Sequence, residues 1–119
     1  MLAAAVKWDL ARSGLVVRDV GEETDRSTAP GGLEVEVDGT DDVFGGLWLT
    51  WELHPAVRST VREAVRGGRP QESIVQVSVD VHEQAANAVV CMLRALGYEA
   101  ERNDQSHRPF AVKVLAGPS

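Results

Sequence analysis

Cysteine is almost missing from this chain, with Cys91 standing alone. One thiol excludes an internal disulfide and any metal site built on a cluster of cysteines. Aromatic residues are scarce at 5%, so a core must be assembled mainly from Val, Leu and Ala. No apolar run approaches the ~20 residues that span a bilayer. The opening MLAAAVKWDL lacks a basic start, and its apolar run stops at Lys7, which makes it a poor secretion signal. These absences lead to the expectation of a cytoplasmic protein with no cofactor, no metal and no membrane contact.

What is present has globular proportions. The 119 residues, 44% hydrophobic and 25% charged, suit a single domain over 1–119. Its net charge of −6 opposes unspecific affinity for nucleic acid or anionic lipid. The cations are nevertheless grouped, with Arg58, Arg62, Arg66 and Arg69 close together in the chain.

Periodicity divides the chain into N-terminal strands and loops over 1–46 and a core over 47–119. Ala4, Val6, Trp8 and Leu10 alternate with polar neighbours, which predicts a half-buried strand over 3–10. A weaker strand follows in LVVRDV. The polar stretch 21–32 reads as a loop, and Leu33, Val35 and Val37 mark the next strand. In LWLTWEL, residues 47–53, Leu47, Leu49 and Trp51 share one face and Trp48 the other. Pro55 suits the first position of a helix, which Gly67 and Gly68 end.

The nine residues SIVQVSVDV, 73–81, alternate more cleanly than any others and predict a strand. Asp80 and Glu83 then fit a capping box, followed by an apolar helical stripe of Ala85, Ala88, Val89, Met92, Leu93 and Leu96. Gly97 supplies the left-handed stop. Two closing strands, YEAER and FAVKVLA, flank the loop NDQSHRP. The expected fold is an α/β (α+β) two-layer sandwich. Its core runs β-α-β-α-β-β with additional N-terminal strands, and both helices lie on one sheet face.

Candidate chemistry is thin. His82-Glu83 begins the zinc-protease helix signature, but Ala86 stands where the second His belongs, so the pair reads as structural. Cys91 falls roughly 130° from the centre of the apolar stripe on a 3.6-residue wheel, beside Val90 and Arg94. It reads as a packed or interfacial side chain rather than a reactive thiol. Arg58, Arg62, Arg66 and Arg69 present either an anion-gripping flank or an ordinary solvated face. Trp48, set opposite in parity to Trp51, is expected on the open sheet face, where an exposed indole commonly anchors an interface.

The element order over 47–116, together with Pro55 at a helix start, resembles the TusA-like sulfur carriers and the C-terminal domain of bacterial translation initiation factor three. The first resemblance implies a Cys-Pro pair whose thiolate carries a persulfide; His54-Pro55 stands at that place here. The second implies RNA as a ligand. The expectation drawn from the residues is a non-catalytic module that binds a protein partner or a second copy of itself through Trp48, Val90, Cys91 and Arg94. Anion or RNA binding through the arginine flank is the alternative, followed by a degenerate sulfur-carrier-like role.

Overall fold

The computed structural model describes residues 2–19, 31–38, 46–69, 73–102 and 110–118. Of the loop expected over 21–32, residues 21–30 lie outside the described residues, as do 39–45 and the expected loop 103–109 with His107, while Gly32 already belongs to a strand. The elements run α1 (Leu2–Arg12), β1 (Val17–Asp19), β2 (Gly32–Asp38), β3 (Gly46–Glu52), α2 (Pro55–Arg66), α3 (Ser73–Ala95), β4 (Glu99–Arg102) and β5 (Val112–Ala116). The five strands form one mixed sheet in the order β1-β2-β3-β5-β4. The expected α+β sandwich is therefore the architecture of the chain, but two segments differ from expectation.

Residues 2–12 are helical, not extended. Ala3, Val6 and Leu10 are buried on one helical face, while Trp8 is 65% exposed. The alternation included Ala4 and Trp8, both of which face outward. Alanine satisfies a strand pattern and a helix pattern equally, and its strong helix propensity settles the matter. Residues 73–81 are the first turns of a 23-residue helix. A strand there would separate α2 from the second helix. Instead the core order from residue 47 is β-α-α-β-β, and the layout behind the family resemblance loses its middle strand.

The helix ends follow from local chemistry. His54 caps α2, its Nδ1 accepting from the Ala56 amide at 3.1 Å, with Pro55 next in line. Each helix closes on a glycine with positive φ: Gly14 at 104°, Gly68 at 73° and Gly97 at 94°. At α1 the Leu15 amide donates to the Leu10 carbonyl, and at α3 the Tyr98 amide donates to Leu93. This is the six-to-one bond of a left-handed helix stop. Asp80, in contrast, caps nothing; it lies inside α3 and accepts from Gln76 Nε2 at 3.0 Å.

β2 and β3 pair antiparallel along their full lengths, with Leu33 opposite Trp51, Val35 opposite Leu49 and Val37 opposite Leu47. β1 adds parallel to β2. At their junction Gly32 has φ +136°, and a Cβ there would lie 2.7 Å from the Val16 carbonyl oxygen. Leu33, Val35, Leu47, Leu49, Val112 and Val114 form the inner sheet face. Ala3, Val6 and Leu10 of α1 cover it together with Ala86, Val89, Val90 and Leu93 of α3. α2 packs against α3.

The other sheet face is polar with one aromatic. Glu36, Trp48, Lys113 and Glu101 form a row across four strands. Arg18 and Glu34 form an almost enclosed pair at 3.5 Å on the same side.

Tyr98 joins the two helices of the inner layer. Its hydroxyl donates to Asp9 Oδ2 at 2.6 Å, linking the end of α3 to α1. Burial first, then the Asp9 bond and charge, push its pKa up to about 12 from 10.0. A raised pKa means that the neutral phenol is favoured by folding. Its contribution is full below pH 10 and is lost as pH rises toward 12. Tyr98 is the only tyrosine, so an absorbance titration reads it alone: ionisation is expected near pH 12 in the folded chain. Tyr98→Phe is expected to cost about 1.5–3 kcal/mol in denaturant unfolding, the range for a bond to a charged acceptor.

Candidate docking groove on the long helix

Helix α3 carries three arcs where a surface helix needs two. Ala86, Val89, Val90 and Leu93 turn inward and are buried. Gln76, Asp80, Glu83, Asn87 and Arg94 form an exposed polar arc. Between them, at helical spacing, run Val77, Val81, Ala85, Ala88 and Met92. This third arc is only partly covered: Val77 is 53% and Val81 40% exposed.

The third arc is one wall of an open groove of about 520 Å³. Trp51 at the end of β3 and Leu15 after the α1 stop make the opposite wall. Both are half-buried and pack against the edge of the core. Asp80 and Gln84 are the polar side chains of the lining. The volume and the few polar groups match those of sites that take apolar ligands or side chains.

Several expected site residues lie elsewhere. Trp48 has the expected parity but not the expected exposure: it is 2% exposed, with the Lys113 ammonium 5.2 Å above its ring. Val90 is core, because the buried arc is centred nearer Ala86 and Val90 than the apolar stripe suggested. Cys91 is exposed, as expected, and does not line the groove. Arg94 donates from Nε and Nη2 to the Ala100 carbonyl at 3.2 and 3.0 Å, tying α3 to β4.

The arginine flank is divided. Arg58 turns back to Glu52 at 3.7 Å, while Arg62, Arg66 and Arg69 are exposed. His82 donates from Nδ1 to the Ser78 carbonyl at 2.7 Å and stacks on Phe110 with centroids 5.6 Å apart. Among the described residues no three of His, Cys, Asp and Glu gather as metal ligands. Within the same residues no helix is long and apolar enough to cross a membrane.

The groove residues were legible as spacing. Val77, Val81, Ala85, Ala88 and Met92 recur at steps of four and three, the helical repeat. The valines at 75, 77, 79 and 81 satisfied the strand repeat at the same time and hid it. In comparisons with known proteins the chain matches no family model, no curated protein and no solved structure.

The two apolar arcs of α3 differ in what they hold together. Leu93→Ala is expected to cost about 2–5 kcal/mol, as for a buried leucine. Val81→Ser is expected to change stability by about 0.5 kcal/mol or less, because the site is open and the two residues have similar helix propensity. Urea unfolding of both variants checks the difference.

Proposed function

We propose that this chain is a non-catalytic protein-interaction module whose docking surface is the groove along α3. The observation that supports this reading is the third arc. An apolar groove bounded by Val77, Val81, Ala88, Met92 and Trp51 lies open beside the core cluster of the described residues. Exposed apolar surface rimmed by polar side chains is the usual mark of an interaction site.

Among the described residues, His54, His82, Tyr98 and Lys7 have structural employment. His54 caps α2, His82 is held by Ser78 and Phe110, and Tyr98 is bound to Asp9. Lys7 pairs with Asp19 at 2.8 Å. Of the residues expected to bind a partner, Cys91 and Arg94 remain at the outer surface of α3, whereas Trp48 and Val90 are enclosed. The anion-binding alternative retains Arg62 and Arg66 but not Arg58, which faces Glu52.

A photo-reactive residue placed at Ala88, in the groove, and in a second variant at Arg62, on α2, tests this in cells that express the chain. Protein adducts are expected at position 88 and to be several-fold fewer at position 62. Equal yields at both positions, or none at 88, would remove the groove as the docking surface.

A further inference from the structure

We infer that the partner seats a short amphipathic helix along α3, with a lysine or arginine of that helix against Asp80. This rests on the docking reading and names the partner's chemistry. The extent of the groove comes first. From Val77 to Met92 the arc rises about 22 Å, and a helix is about 10 Å wide, so a helix laid on it covers roughly 220 Å². Trp51 and Leu15 on the opposite wall enlarge the contact. A folded protein surface docks over about 800 Å² per partner. The groove therefore suits one segment of about 15 residues, the helical length that spans it, and not a broad face.

The walls decide the conformation of that segment. Backbone N–H and C=O groups along α3 are bonded within the helix, so the long wall offers nothing to an extended strand. Asp80 and Gln84 are the polar side chains among the lining residues, too few to satisfy a stretched backbone. A segment that enters must bring its main-chain bonds already made, as a helix does. Ala85 and Ala88, between Val81 and Met92, leave room for its apolar side chains.

Charge sets the polar contact. Asp80 is the one charged side chain among the lining residues. Its Oδ1 accepts from Gln76 Nε2 at 3.0 Å, which orients the carboxylate, and among the described residues no cation pairs with it. Covering the groove strips water from this carboxylate, and a lysine or arginine replaces that water. The net charge of −6 draws a basic segment and repels an acidic one or a second copy. Beyond Gln84 the lining of α3 is Ala85, Ala88, Val89 and Met92, all apolar. The matching helix has its basic residue toward one end and apolar residues at three- and four-residue steps along the rest.

The probe is a synthetic peptide of about 15 residues, capped at both ends, with leucines at three- and four-residue steps and a lysine on the same face in the last turn, where the helix dipole favours a cation. A second peptide carries glutamate in place of the lysine, and a third has the leucine spacing scrambled. Titrated at low salt into the isotopically labelled full chain, the lysine peptide is expected to shift the NMR signals of Trp51, Val77, Val81 and Ala88 and to leave Arg62 unmoved. It is expected to bind about five-fold more tightly than the glutamate peptide and about ten-fold more tightly than the scrambled one. Asp80→Lys is expected to reverse the preference between lysine and glutamate, with circular dichroism unchanged. Equal binding of those two peptides overturns the basic partner, and equal binding of the scrambled peptide overturns the helix. Absence of binding by all three overturns the inference as a whole. The Ala88 photo-probe then separates it from the docking reading: protein adducts at position 88 leave the groove as a docking surface, and none there removes both.

Discussion

A mismatch of length governs this molecule. Helix α3 has 23 residues and is about 35 Å long, whereas the longest strands have seven and extend about 23 Å. One helix laid along such a sheet must overhang it. The C-terminal half of α3 meets the sheet, and four of its five buried residues, Ala86 to Leu93, lie there. In the N-terminal half only Ser78 is buried. The overhang is steadied by α2 and by the stack of His82 on Phe110, which has a positive φ of 62°. The elongated shape, 49 Å by 27 Å by 27 Å, agrees with a helix that outruns its sheet.

What lies beneath the overhang depends on how the shorter helix is held. α1 covers the β1–β2 side of the sheet, and it is tied by Asp9 to Tyr98 and by Lys7 to Asp19. Its glycine stop then places Leu15 at the groove wall. Trp51 is there because β2 and β3 are in a register that sets it opposite Leu33, on the inner face at the strand end. The groove is thus a product of ordinary packing choices, each with a local cause. The opposite sheet face, with its Glu36–Trp48–Lys113–Glu101 row and its Arg18–Glu34 pair, contributes nothing to it.

All five strands and two of the three helix stops could be read directly, from the alternation in 33–37, 47–52 and 112–116, from the shorter runs LVVRDV and YEAER, and from the glycines at 67–68 and 97. Two segments carried two meanings. Residues 3–10 alternate only if alanine is counted as an inward residue, and residues 73–81 alternate because valine stands at every second position. The local β-preference of valine lost there to continuity with the Ala-rich helix that follows, since a helix already nucleated at 82–95 propagates at little cost. The site inherited that error. Parity puts Trp48 on the open sheet face, and a wheel centred on the wrong residues puts Val90 at the surface, whereas both are enclosed; Val77 and Val81, inward in a strand, are exposed on the helix.

Valine in the overhang is itself informative. It is a mediocre helix former, and where it is half-exposed it gains little from burial. A helix that needed only to bridge α2 and the sheet would be served better by Glu, Lys or Gln at positions 77 and 81, which raise both helicity and solubility. Apolar side chains there leave the isolated chain with wetted surface and a weaker helix. Contact offsets both penalties at once, since covering the third arc removes the surface from water and shields the helix along the same face.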